Sequence, residues 1–151
     1  MMTKGISHIA IGVRDMDKSL RFYRDQLGFQ VVRDEVQKTA GTVLPAVYKE
    51  AHAQRRVATL YWKRGKEEAF LVLSEHNDKP VSGEAIKLDQ IGIHHFAFWV
   101  DNLPTVYEEL KTKGIEFIVP PTVTKTADGN FNSAFIADPD GILVQLDELV
   151  E

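Results

Sequence analysis

The sequence predicts an α+β fold: two βαβββ modules that pair as half-barrels around a central cup. Three features carry this prediction. Residues 5–13, GISHIAIGV, and residues 92–100, GIHHFAFWV, share the pattern G-I-x-H-x-A-x-x-V. Each is followed by a helical segment ending in glycine, and then by one strand and a hairpin of apolar, β-prone strands. Each half alone is too small to bury both faces of a sheet, so the halves are expected to pack on each other and leave a concave surface.

The short match cannot carry the prediction alone. At roughly 6% per residue, five identities in nine arise by chance about once in ten thousand comparisons, close to the number of window pairs in the chain. The repeated order of elements is the stronger argument. It gives one domain over residues 1–151, with a first module over about 4–76, a linker over about 77–91 and a second module over about 92–151.

In the first module, DMDKSLRFYRDQLGF offers Asp15 as a helix cap, Leu20, Tyr23 and Leu27 as the inward stripe, and Gly28 as the C-terminal stop. Phe29, Val31 and Val32 suggest a short strand, and the polar DEVQKTAGT reads as loop. VATLYW (57–62) and AFLVL (69–73) form a hairpin around KRGKEE, with Gly65 in the turn. In the second module a strand over 93–100 precedes a helix over 103–113, with Pro104 in its first turn, Tyr107 and Leu110 inward and Gly114 as its stop. Strand EFIV, a loop PPTVTKTADGN begun by the strand-ending Pro120–Pro121, strand NSAFIAD, turn DPDG and strand ILVQLDEL complete it.

Composition narrows the function. The chain has 18 Lys and Arg against 22 Asp and Glu, a formal charge of -4, and its basic residues are scattered, which argues against nucleic acid as a partner. It contains no Cys, so any metal must be held by His, carboxylate or amide oxygen. No run approaches the ~20 apolar residues of a membrane span, and the MMTKGISHIA start lacks the apolar run of a signal peptide; a cytoplasmic location is expected by default. Neither a nucleophile elbow nor a glycine-rich phosphate loop is present.

GISHIAIGVRDMDKSLRFYRDQLGF, GIHHFAFWVDNLPTVYEELKTKG and FIADPDGILVQLDEL together resemble the vicinal oxygen chelate superfamily, which includes glyoxalase I, extradiol dioxygenases, methylmalonyl-CoA epimerase and the fosfomycin and bleomycin resistance proteins. The resemblance implies a divalent metal ion, with Fe, Mn, Ni, Zn and Co not distinguished, bound by ligands from the first and last strands of each module. It also implies a small-molecule substrate and a homodimer. Carried over by position, the ligands are His8, His95 and Gln145, the last standing where members of the superfamily usually carry Glu. Val72 occupies the corresponding place in the first module.

Two imidazoles and an amide lack the negative charge that usually holds and tunes a divalent ion, and the missing Glu also removes a proton-transfer base. His8 and His95 are therefore open to two readings, metal or substrate ligands or hydrogen-bonded core residues. His94 should point to the opposite face from its neighbour in a regular strand. Glu75 should lie on the face opposite Val72, and His76 about 13 Å beyond Val72 on the same face, both as surface residues at the strand end. Trp99 and Ala97 should share the face of His95, where the indole either walls a substrate pocket or packs under the helix. His52, Arg55 and Arg56 precede a strand, where arginines clamp a carboxylate or phosphate or simply solubilise the surface; Arg56 is taken with Trp99 as substrate-binding. The two functional readings are a metalloenzyme polarising vicinal oxygens, dioxygenase-like or glyoxalase-like, and a metal-free sequestration protein of the bleomycin-resistance type.

Overall fold

The computed structural model describes residues 2–150. The chain forms two compact units that divide between Ser82 and Gly83. The first contains β1 (His8–Gly12), α1 (Met16–Leu20), β2 (Gln30–Lys38), β3 (Gln54–Tyr61) and β4 (Phe70–Glu75). The second contains β5 (His95–Trp99), α2 (Leu103–Thr112), β6 (Phe117–Thr126), β7 (Gly129–Ala137) and β8 (Leu143–Val150). The sheets are ordered β1-β4-β3-β2 and β5-β8-β7-β6, with the first and last strands of each unit parallel and the other neighbours antiparallel. This is the predicted α+β architecture of two βαβββ modules. No described helix is long and apolar enough to cross a membrane.

In the first unit, Asp15 caps α1 by accepting from the Lys18 amide at 3.0 Å. The helix then widens into a π-turn over Arg21–Gln26, where the Leu27 amide reaches the Phe22 carbonyl five residues back. The wider turn rotates the inward stripe. Phe22 and Tyr23 are both buried, whereas Leu27, expected on that stripe, is only half-buried. Gly28 ends the segment at φ 83°, a backbone region that glycine enters without steric cost. Met16, Leu20 and Tyr23 join Ala58, Leu60, Leu71 and Leu73 in the core on the helix side of the sheet.

Two loop expectations are corrected. The polar stretch from Asp34 is not loop, because β2 continues through Lys38 and pairs along β3 as far as Gln54. It is an edge strand whose alternating polar side chains meet solvent or cross-strand partners, so it lacks an apolar signature. Pro120 and Pro121 likewise do not end β6, which runs to Thr126. The register with β7 shifts on both sides of Val119, and Pro is tolerated at such irregularities of an edge strand.

In the second unit, Asn102 caps α2 by accepting from the Thr105 amide at 3.0 Å, Pro104 lies in the first turn, and Leu103 and Leu110 are buried. The DPDG turn is organised by Asp138, a buried residue whose Oδ1 accepts from the amides of Asp140 and Ile142, each at 2.9 Å. Asp138 is thus a structural carboxylate that fixes how β8 begins.

Candidate functional site

Register shows that the two modules present equivalent positions. His8 lies beside Phe70, Ala10 beside Val72 and Gly12 beside Ser74. In the second unit His95 lies beside Leu143, Ala97 beside Gln145 and Trp99 beside Asp147. Gln145 and Val72 are therefore structural counterparts, as are Asp147 and Ser74. In each unit the face bearing the histidine is opposite the helix side, since alternate residues point to opposite faces.

Each histidine is held by the residue before it. His8 Nδ1 is 3.2 Å from Ser7 Oγ, and its ring stacks on Phe70 with centroids 5.2 Å apart. His95 Nδ1 is 2.7 Å from His94 Nδ1, and those rings stack at 4.7 Å. The expectation that His94 points away from its neighbour is corrected here. β5 begins only at His95, so strand alternation does not govern residue 94. With Nδ1 engaged, Nε2 is the atom each of His8 and His95 has for a ligand.

Gln145 donates its amide nitrogen to Asp147 Oδ1 at 2.7 Å, and the Ser133 hydroxyl donates to the same oxygen at 2.5 Å. A carboxylate accepts only from the NH2 end of an amide, so this bond directs the Gln145 carbonyl oxygen elsewhere. Asp147 is the residue sequence reasoning missed. It lies two positions beyond Gln145 on one face, a signal that period-2 reading of β8 contains. Among the described residues, no group of three or more His, Asp or Glu is gathered so as to hold a metal ion.

Trp99 shares the His95 face with Ala97, is 68% exposed, and lies 6.0 Å from Phe131. Phe135 meets His95 edge-on at 5.6 Å. This face therefore carries an open aromatic surface. In the first unit the Thr59 hydroxyl, beside Val72, is buried without a hydrogen-bond partner, though the residue faces the same way as His8. An orphaned donor costs about 1–3 kcal/mol unless something meets it.

The arginines separate by face. Arg56 lies on the helix side, where its guanidinium makes two bonds to Asp34, at 2.8 and 2.9 Å, and one to Asp17 at 2.8 Å. Arg55 lies on the His8 face and is held by two neutral groups, Gln37 Oε1 at 3.0 Å and Ser74 Oγ at 3.1 Å.

Glu75 lies on the helix side, as alternation requires, but it is not a free surface residue: Oε1 accepts from the Met16 amide at 3.0 Å, at the start of α1. His76, also expected at the surface, is half-buried in a cluster with Tyr48 and His52. Its Nε2 shares a 2.9 Å hydrogen bond with the Tyr48 hydroxyl, and its ring lies 4.6 Å from that of His52. Burial, then the neighbouring His52 and Arg55 charges, push the His76 pKa down. Asp78 receives hydrogen bonds from His52 Nδ1 at 2.6 Å and the Ala53 amide at 2.7 Å, which lower its pKa to about 2. These contacts pin the segment between β2 and β3 to the end of β4.

The family model for the Glyoxalase/Bleomycin resistance protein/Dioxygenase superfamily matches residues 5–146. The chain belongs to this superfamily. Among relatives of this glyoxalase-superfamily chain, a lactoylglutathione lyase of Schizosaccharomyces pombe is 28% identical over 97% of the chain and 48% of its own length. A mitochondrial methylmalonyl-CoA epimerase of Mus musculus is 29% identical over 73% of the chain and 53% of its own length. The chain thus spans about half the length of these two relatives. A glyoxalase family protein from Bacillus cereus superposes with a TM-score of 0.75 at 15% identity, covering 100% of this chain and 99% of that one, which shows the shared fold.

Proposed function

We propose that this superfamily member is a small-molecule metalloenzyme that uses a divalent ion, with Nε2 of His8 in the first unit and Nε2 of His95 and the carbonyl oxygen of Gln145 in the second as the candidate ligand atoms. The observation that carries the reading is the repeated arrangement of a first-strand histidine whose Nδ1 is engaged by the preceding residue. Metal-binding imidazoles commonly have their second nitrogen fixed in this way. Bound there, the ion would act as a Lewis acid on adjacent substrate oxygens. Thr59 supplies a hydroxyl to a substrate oxygen, and Trp99 gives the substrate an apolar wall. Arg56 serves to hold α1 on the sheet, while Arg55 is the cation that faces the substrate.

The lyase and epimerase names of the relatives favour glyoxalase-like chemistry over dioxygenase-like ring cleavage. Asp147 is a positioning residue in this scheme, since it orients Gln145 and lends negative charge close to a neutral ligand set. Fe, Mn, Ni, Zn and Co all remain candidate ions, because neutral N and O donors suit each of them. A homodimer completes the reading, supported by the exposed apolar side chains of Ile91 and Ile93; equilibrium sedimentation tests it.

A metal-free sequestration protein is the second reading, favoured specifically by Val72 and Gln145 at the two closing-strand positions. Metal analysis of protein purified without chelator separates the two. Stoichiometric metal that is lost in His8→Ala and His95→Ala supports the enzyme. A metal-free protein whose fold and ligand binding survive both substitutions overturns it.

A further inference from the structure

We propose that Arg55 is the centre of an anion subsite on the His8 face of the first unit, built to receive a carboxylate or phosphate group of the substrate. This rests on the reading of that face as substrate-binding and adds to it a substrate class: molecules with an anionic arm.

The contrast between neighbouring arginines carries the argument. Arg56 is matched by two carboxylates, Asp34 and Asp17, and its charge is spent within the fold. Arg55, also half-buried, is aimed by Gln37 and Ser74, which accept hydrogen bonds without cancelling charge. Among the described residues no Asp or Glu pairs with it. A guanidinium held rigid and left unneutralised in a partly desolvated position gains most from an incoming anion, because its remaining N–H groups can make charge-assisted bonds with no carboxylate to displace.

Nearby acids are engaged elsewhere. Glu35, two residues along β2 from Gln37, lies 3.8 Å from Arg33, and Asp78 is bound by His52 and the Ala53 amide. Position adds a length to the class. Ser74 lies two residues along β4 from Val72, a rise of roughly 7 Å, and Val72 neighbours the unpartnered Thr59. A substrate whose reacting oxygens meet Thr59 would reach Arg55 with a group a few bonds away.

The test is an anion titration on chelator-treated protein, so that its outcome is independent of metal binding. Inorganic phosphate and succinate are added in separate series. The Arg55 Nε–H resonance is followed by NMR, assigned by its loss in Arg55→Lys, and the melting temperature is recorded in parallel. Saturable shifts with a rise in melting temperature are expected, with phosphate or succinate as the better probe identifying the group the subsite prefers. Arg55→Gln should weaken binding on the order of tenfold or more, and Ser74→Ala, which leaves the charge but loosens it, by a smaller factor. If Arg55→Gln does not fold, Arg55→Lys serves instead, with measurably weaker binding expected because Lys lacks the planar fork. Absence of saturation with both anions, or affinity unchanged in folded Arg55→Gln or Arg55→Lys, overturns the subsite. Metal binding lost with anion binding intact would overturn only the metal reading.

Discussion

His94 and His95 meet through their Nδ1 atoms at 2.7 Å, so one imidazole donates to the other and the tautomer of His95 is coupled to its neighbour. If His95 donates, its Nε2 carries the lone pair a metal needs, and His94 fixes the ring without touching the ion. Loss of such an outer partner typically weakens metal affinity by about 10–100-fold. His94→Phe should therefore weaken binding within that range while keeping the ring stack, and His95→Ala should abolish it. Competition with a chromophoric chelator measures both, and equal losses would make His94 a ligand in its own right.

Gln145→Glu makes a second prediction, and Asp147 gives it two signs. A carboxylate at 145 adds the charge that a divalent ion favours, so metal affinity should rise. Without metal, the new carboxylate loses its hydrogen bond to Asp147 and faces it as a like charge. The apo variant should be less stable by about 1–3 kcal/mol, and saturating metal should recover that loss. Denaturant unfolding with and without metal reads both effects; a variant indifferent to metal would exclude residue 145 from the ligand set.

The modules were legible in the sequence because their determinants are local. Asp15, Gly28 and Gly114 mark helix ends, and DPDG encodes its turn through the Asp138 carboxylate. Edge strands were harder to see. Asp34, Glu35 and Gln37 point to solvent or to polar partners, so β2 carries no hydrophobic alternation, and Pro120–Pro121 sits in a bulged β6 that needs no amide there. The site was legible as positions and not as contacts. Strand period placed Trp99 on the His95 face and the family resemblance singled out Gln145 on the closing strand, but the His94 ring, the Tyr48–His76 bond and the sorting of Arg55 from Arg56 depend on where strands begin and which cross-strand groups meet.

His76 gives a pH-dependent prediction. Burial and the His52 and Arg55 charges lower its folded pKa, while Asp78 opposes them, so the folded protein resists its protonation. An unfolded histidine takes up its proton near pH 6.5. His76 therefore contributes stability above about pH 6.5, and that contribution is lost as the pH falls through the folded pKa. Melting temperatures between pH 7.5 and 5 should decline for the parent chain and decline less for His76→Phe, which keeps an aromatic ring against Tyr48 and His52. A parallel decline would assign the pH dependence to another group.

Arg56 and Arg55 supply the last prediction, in which adjacent residues have opposite phenotypes. The Arg56 side chain is 27% exposed and Asp34 32%, whereas Asp17 is 70% exposed. The bidentate Asp34 pair should therefore dominate, because exposed pairs contribute ~0–1 kcal/mol and bidentate, partly buried ones more. Arg56→Gln should cost about 1–2 kcal/mol, since Asp34 is left without its partner, and should leave phosphate or succinate affinity unchanged. Arg55→Gln should weaken anion binding with little change in stability, because Gln37 and Ser74 can turn to water once the charge is gone. A double-mutant cycle with Asp34→Asn should show coupling to Arg56 and none to Arg55. Coupling to Arg55 would mean that its charge is neutralised within the fold after all, and would remove the basis for an anion subsite there.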